Sequence, residues 1–596
     1  MRTSGWNTAT SWKTSSKGVD LTRPSSLISD DNFGVPQLGG SFDFFSKYSI
    51  SGHLGRSRNV NSVTLQTADR KHLFVGVDST MPVGLRGPTN LFAHPIDQLL
   101  AELDTHLSQW NSRSQELLSK ISFGHFPLSF SATSNSGKSL KDIFLNHSIS
   151  AYICGHLHSR FGRNLKRRHL LSHHFLSLQK FFQLNVHRPY FHSAVNCSTE
   201  APAGKEFWEW EMGEWKRSRA MRILAIDRGH VSYVDIDFKS GTKGQSSCQL
   251  FPWTHGSRQY LHPITNMNVM IWSLYLTAVR ALVFSVSPIA SITTKIYDSR
   301  PGFLYLVFEA PMHMIGDNTS RGDLFVGPWN HRAFDDPVPN RYWLQIEATD
   351  FMGRSTLSDL RPFSVNGLTT TISWTWKEFM VMGCQWAALY YPMLWCAVYF
   401  ILCVLLIPKA ILIFSVRHFT YKNKGFVNAI GLVFQELCKL PVAWFGFLGY
   451  LFYLILFPWF IGQVFTDGKD KGYMTYMGWV VKSFNQNGKH KYVGSPDVMV
   501  VVLPHLFFVV FPALTYILLK IRQEKCLEPC NHHSETNEYE GTNQDASCVF
   551  FVIAYCTNNC RTLVKAYEMN PVLHFPGYSL TIPLLLAYTA YKTRSV

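Results

Sequence analysis

Between Gln385 and Ile407 the chain carries no charged side chain. A run of about 20 apolar residues is what a helix needs to cross the hydrocarbon core of a bilayer. Leu440–Ile461 and Val498–Leu519 have the same character, and Val572–Tyr591 is apolar but holds His574, Pro576 and Pro583. Residues 371–596 are therefore expected to form an α-helical membrane bundle with four spans, about 385–407, 440–461, 498–519 and 572–591. Trp374-Thr-Trp376-Lys377 supplies the aromatic and basic flank that suits the headgroup layer. Val549–Tyr555 is too short to cross and is expected at the interface or against the bundle.

Composition agrees with a membrane protein: 46% of residues are hydrophobic and only 16% charged. The formal charge of +16 comes from Lys and Arg that are scattered or flank apolar runs. The expected partner is therefore a lipid bilayer, and no nucleic acid. Basic residues between the spans lean towards the cytosol, which predicts a multi-pass integral membrane protein with lumenal or extracellular N-terminal domains. Asn146, Asn196 and Asn318 head glycosylation sequons that would suit that side. The 12 Cys form no Cys-x-x-Cys pair and demand neither a disulfide framework nor structural zinc.

Residues 1–28 are rich in Ser, Thr, Lys and Arg, without apolar periodicity, and are expected to be disordered. From 29 to 240 the pattern alternates between strand and helix. Val60–Gln66 and His72–Asp78 predict paired strands, with Asp78 a turn or cap. Pro95–Trp110 predicts an amphipathic helix through Leu99, Leu100, Leu103 and Leu107. The cation-rich stretch Arg160–His192, with Lys166-Arg-Arg-His169, is expected to be a solvated loop. Phe207-Trp-Glu-Trp-Glu-Met212, Met221–Ile226 and Val231–Ile236 predict antiparallel strands of a second sheet closing a sandwich, with Trp208 and Trp210 in its core. Residues 241–370 carry further strands at Ala281–Val286, Ser291–Tyr297, Phe303–Phe308 and Tyr342–Ala348, as in an immunoglobulin-like β-sandwich. The apolar run Val269–Pro288 contains Arg280, which favours a buried strand over a membrane span.

Two histidine signatures organise the N-terminal half: Ser122-Phe-Gly-His125-Phe-Pro127 and Ala151-Tyr-Ile-Cys-Gly155-His156-Leu-His158. Each closes a strand-like run at a glycine, so each histidine leaves a sheet at a strand end, where α/β sites form. A lone Gly-His is commonly a turn with a solvated ring. Gly-His-x-Pro followed by Gly-His-x-His, both at strand ends, resembles the C-terminal half of the calcineurin-like metallophosphoesterase site. The order phosphoesterase, β-sandwich, multi-spanning C-terminus resembles that family's membrane-anchored branch, the transmembrane protein 62 type.

The resemblance implies an α/β metallophosphoesterase sandwich, partial because its N-terminal motifs are missing. It also implies hydrolysis of a phosphoester by a dimetal centre of Mn, Fe or Zn type that activates water. His125 and His156 are then ligands of one metal and His158 of the other. No Asp-x-His or Gly-Asp-x-x-Asp pattern precedes Asp31. Leu27-Ile-Ser-Asp30-Asp31 resembles the end of the third motif, with Asp30 where the catalytic His would stand and Asp31 as a group behind the ligands. The expectation is an N-terminally incomplete chain that keeps one ion or none, with impaired activity. The alternative is a non-catalytic membrane protein whose retained domains serve binding or assembly. A transporter ranks last, because the spans hold no acid and only His505 and His574 among titratable bases.

Overall fold

The computed structural model describes most of residues 60–363 and 374–570; its longest breaks are at 183–205, 254–277, 415–440 and 515–537. Its first unit is a six-stranded sheet in the order β1-β2-β3-β4-β6-β5. The strands are β1 Val60–Gln66, β2 Lys71–Val77, β3 Leu118–Phe123, β4 Ala151–Cys154, β5 Lys166–Leu170 and β6 Glu206–Glu211. β2, β3, β4 and β6 are parallel, and the edges β1 and β5 run antiparallel to their neighbours. β2 is buried along nearly its whole length, as a parallel strand covered on both faces must be.

One face is covered by α1 (Asp97–Arg113) and α2 (Leu140–Asn146). Leu99, Leu100, Leu103 and Leu107 of α1 pack with Leu73, Val75, Tyr152 and Phe207 of the sheet, the helical stripe that the sequence predicted. Ser139 caps α2 by accepting from the Asp142 amide at 3.2 Å. The other face carries the hairpin β7 (Ala220–Asp227) and β8 (His230–Asp237), whose Val231, Leu224 and Tyr233 pack with Phe74, Phe123, Ile153 and Trp210.

Two expectations need correction here. Phe207–Glu211 does not join β7 and β8 in a sheet; it is β6 of the first sheet, parallel to β4, and its tryptophan face packs on the hairpin. Lys166–His169 is not a solvated loop but β5, with Arg167, Arg168 and His169 buried. Burial is possible because β6 supplies the opposite charge: Arg168 pairs with Glu206, and His169 Nε2 lies 2.6 Å from Glu209. Arg167 Nη1 donates to the Met382 carbonyl at 2.7 Å.

The middle unit has two packed antiparallel sheets. One has the order β13-β14-β10-β9 (His313–Met314, Leu324–Pro328, Ala278–Phe284, Gln249–Trp253). The other has β12-β11-β15-β16 (Tyr305–Pro311, Ile289–Asp298, Tyr342–Asp350, Ser355–Leu357), with β17 (Arg361–Phe363) also on β15. Strict alternation in β15 buries Tyr342, Leu344, Ile346 and Ala348 against Val279, Ala281 and Val283 of β10. β10 is the buried strand expected within Val269–Pro288; residues 269–277 lie outside the described residues.

Then come α3 (Trp386–Phe414), α4 (Pro441–Leu456), α5 (Pro496–Leu514) and α6 (Glu538–Tyr567). Among the described residues, two helices, Trp386–Ile411 and Pro496–Leu514, are long and apolar enough to cross a membrane. α4 is shorter than the span expected at Leu440–Ile461. Pro458 follows its end, and Phe460–Gln463 is already strand β18. The expected loop 462–497 is largely a four-stranded sheet, β18 with β19 (Lys471–Thr475), β20 (Gly478–Lys482) and β21 (His490–Gly494). Val549–Tyr555 lies inside α6, whose Val552 and Cys556 pack on Val509 of α5. The expected span Val572–Tyr591 lies outside the described residues.

Candidate metal centre

The parallel ladder between β3 and β4 continues past both strand ends. Gly124 N donates to the Ile153 carbonyl and Gly155 N to the His125 carbonyl, each at 3.0 Å. Tyr152 Oη then donates to the Phe126 carbonyl at 2.6 Å. A Cβ at Gly124 would stand 2.1 Å from that hydroxyl, so this position requires glycine. The two histidines consequently leave the sheet side by side.

His125 Nε2 and His156 Nδ1 are 3.1 Å apart, with ring centroids at 5.1 Å. Phe126 stands edge-on to His125 at 4.8 Å and tilted to His156 at 4.7 Å, and Phe130 flanks His156 at 5.9 Å. Aromatic walls on this side make a half-buried, poorly hydrated place for two imidazoles.

Two carboxylates that sequence reasoning passed over hold these loops in place. Glu209 Oε1 accepts from the Leu128 amide at 2.7 Å, and its Oε2 lies 2.6 Å from His169 Nε2. Glu211 Oε1 accepts from the Leu157 amide at 2.5 Å, and its Oε2 accepts from Cys154 Sγ at 3.0 Å. β6 thus ties down the loop after His125 with one acid and the loop after His156 with the other. The signal was the Phe-Trp-Glu-Trp-Glu alternation, which puts both acids on the face opposite the tryptophans.

Burial alone would raise the Glu209 carboxyl, but the bond to His169, the Arg167 charge and the Leu128 amide hold it below the usual carboxylate range. Burial pushes His169 down to about 3, helped by the Arg167 charge. The pair is therefore a neutral imidazole donating to a carboxylate. Burial and then the Glu211 charge raise the Cys154 thiol well above its ordinary value, which keeps it a donor rather than a thiolate ligand.

Two nitrogens each about 2.1 Å from one ion, at angles between tetrahedral and octahedral, lie roughly 3.0–3.4 Å apart. The observed 3.1 Å fits two positions of such a shell. Glu209, Glu211 and Cys154 are committed elsewhere, and no group of three or more His, Cys, Asp or Glu placed to hold a metal occurs among the described residues. His158, Asp30 and Asp31 lie outside the described residues.

The histidine edge also meets the segments that lead into the apolar helices α3 and α5. Ser129 Oγ donates to the Val381 carbonyl at 2.8 Å, and Leu157 and Leu165 pack with Val381 and Met382 just before α3. Asp497, buried at the start of α5, accepts from the Leu91 amide at 2.5 Å and the Phe92 amide at 3.0 Å, and its Oδ2 lies 2.5 Å from His94 Nε2.

Comparison with known proteins now adds descent. An Arabidopsis thaliana protein named "Putative metallophosphoesterase" is 52% identical over 596 residues, covering 95% of this chain and 80% of that protein. The family model for the TMEM62 Ig-like domain matches residues 256–369, and that for the TMEM62 C-terminal domain matches 391–576. The chain belongs to the calcineurin-like metallophosphoesterase family, in its transmembrane protein 62 branch. Mouse transmembrane protein 62 is 23% identical over 453 residues, 74% of this chain and 57% of that protein. No solved structure matches. This member of the metallophosphoesterase family is thus a phosphoesterase-like membrane protein, and its family is one that works with divalent metals.

Proposed function

We propose that the chain is a membrane-bound, metal-dependent phosphoric ester hydrolase in which His125 and His156 hold one divalent ion and His158 contributes to a second position. The observation that carries this reading is the 3.1 Å approach of two imidazole nitrogens from adjacent parallel strand ends. A bound ion would polarise the phosphoryl oxygens and acidify a water. The chain's own part is to fix both rings through the Gly124 and Gly155 amides and the Glu209 and Glu211 clamps. Asp30 occupies the position of the family's proton-donating His, so slow turnover of a generic soluble phosphodiester is expected.

The protein is read as multi-pass, with α3 and α5 entering the bilayer from the side that carries the histidines and that side lumenal or extracellular. Calorimetric titration of the purified full chain with Mn2+ or Zn2+ tests the metal reading. Binding of about one ion, abolished by His156→Ala and by His125→Ala, is expected; binding unchanged in both variants would sink it. A second reading, a non-catalytic binding or assembly protein, is favoured by Asp30 and by the small donor set among the described residues. It predicts that the ion binds but no ester is hydrolysed.

A further inference from the structure

We propose, resting on the hydrolase reading above, that the substrate is a phosphate ester carried by a membrane lipid, presented to His125 and His156 from the headgroup layer. Three observations place the histidines at that height. Phe130, whose ring flanks His156 at 5.9 Å, also packs against the core of the membrane region. Trp386 and Tyr390, in the first turns of α3, pack against that same core. α3 has 29 residues, against the roughly 20 that a hydrocarbon core requires, so it is long enough to cross with its aromatic first turns at the interface.

Aromatic residues gather where that interface falls. Trp374, Trp376, Trp386, Tyr390 and Tyr391 occupy the entry to α3, the position that amphipathic rings take at a bilayer surface. The headgroup layer is only about 5–7 Å deep on each side. Phe130 is a single ring wide, so only one side chain separates His156 from the cluster that holds Trp386 and Tyr390.

The second feature is an apolar rim that stands exposed among the described residues. Phe161, Phe182, Trp376 and Met380 are all exposed. They converge on one segment: Phe182 bridges to Cys384, Gly162 abuts the Glu378 side chain, and Trp376 and Met380 flank that glutamate. Lys377 lies 6.0 Å from the Trp376 ring centroid, adding a cation beside the anionic layer. An exposed apolar rim continuous with a membrane-spanning helix is best covered by the bilayer itself.

In the reaction, water oxygen bonds to phosphorus as the bond from phosphorus to the leaving oxygen breaks. One water proton ends on the leaving group, and the other is released to solvent or retained on the product phosphate. Methyl 4-nitrophenyl phosphate and hexadecyl 4-nitrophenyl phosphate share this chemistry and differ only in the chain that enters a bilayer. The test compares their Mn2+-dependent hydrolysis by the full chain in phosphatidylcholine nanodiscs.

The hexadecyl ester is expected to be hydrolysed at least about tenfold faster than the methyl ester. The double variant Phe161→Ser with Trp376→Ser is expected to bring the ratio of the two rates towards one. Turnover of the methyl ester at an equal or higher rate overturns the lipid proposal and leaves the hydrolase reading standing. Turnover of neither ester by metal-loaded protein removes the hydrolase reading and the proposal with it.

Discussion

Glu211→Ala tests whether β6 sets the geometry of the candidate metal centre. Glu211 is buried, and its oxygens accept from the Leu157 amide at 2.5 Å and the Cys154 thiol at 3.0 Å. A hydrogen bond to a charged acceptor is worth about 1.5–3 kcal/mol, and a buried donor left without one costs about as much. The thiol is a weak donor, so the amide dominates, and the truncation is expected to cost about 3 kcal/mol. Glu211→Gln keeps a carbonyl oxygen for Leu157 and loses only the thiol contact, at about 1 kcal/mol. Because Leu157 follows His156 directly, the alanine variant also frees the imidazole's exit from the strand. Urea unfolding of the detergent-solubilised chain, followed by tryptophan fluorescence, reads the stability; Mn2+ titration reads the site. The order expected in both is wild type, then Gln, then Ala. An alanine variant within about 0.5 kcal/mol of wild type, with unchanged Mn2+ affinity, would refute the clamp.

Asp497→Ala removes the acceptor for the Leu91 and Phe92 amides and the partner of His94. A loss on the order of 3 kcal/mol in the same unfolding assay is expected, with a smaller loss for Asp497→Asn, which keeps one acceptor oxygen. His169 contributes to acid sensitivity. Its folded value of about 3 lies below the ordinary 6.5, so only the unfolded chain takes up a proton as the pH falls through 6.5. Its contribution is complete above pH 6.5 and declines by about 1.4 kcal/mol per pH unit below it, or about 2 kcal/mol by pH 5. His169→Gln should flatten that acid limb when unfolding midpoints are compared between pH 7 and pH 5.

The parts of the fold that sequence disclosed are those in which period and burial agree. The leucine stripe of α1, the alternation of β15 and the charge-free run of α3 each state their own environment. The two histidines could be placed at neighbouring strand ends because a glycine stops each strand. What stayed hidden depends on partners distant in the chain. Arg167, Arg168 and His169 look solvated until Glu206 and Glu209, some 40 residues on, are set beside them. The acids of β6 look like the wet side of a half-exposed strand until the histidine loops cover them. Phe460–Gly494 holds hydrophobic residues in runs too short to separate a membrane flank from a small sheet, and only the pairing of β18 to β21 decides it.

The junction between the histidine edge and the membrane helix shows why such coupling leaves little trace in side-chain types. Phe379–Gly383 is a π-helical turn: Cys384 N donates to the Phe379 carbonyl, five residues back, at 3.2 Å. Widening the turn displaces backbone carbonyls from the α-helical ladder. The Val381 and Met382 carbonyls are the ones that accept from Ser129 Oγ and Arg167 Nη1. Ser129 lies four residues after His125, and Arg167 pairs in register with Glu209, so both donors belong to the scaffold around the imidazoles. At residue 383 a Cβ would stand 2.6 Å from the Phe379 ring, so the tight packing of the turn rests on glycine. α3 is therefore tied to the histidine edge through main-chain acceptors, which any residue at 381 or 382 could supply, as well as through the apolar packing of Val381 and Met382 on Leu157 and Leu165. Displacement of α3 would act directly on the loop that carries Phe130 and on the strand that pairs with Glu209.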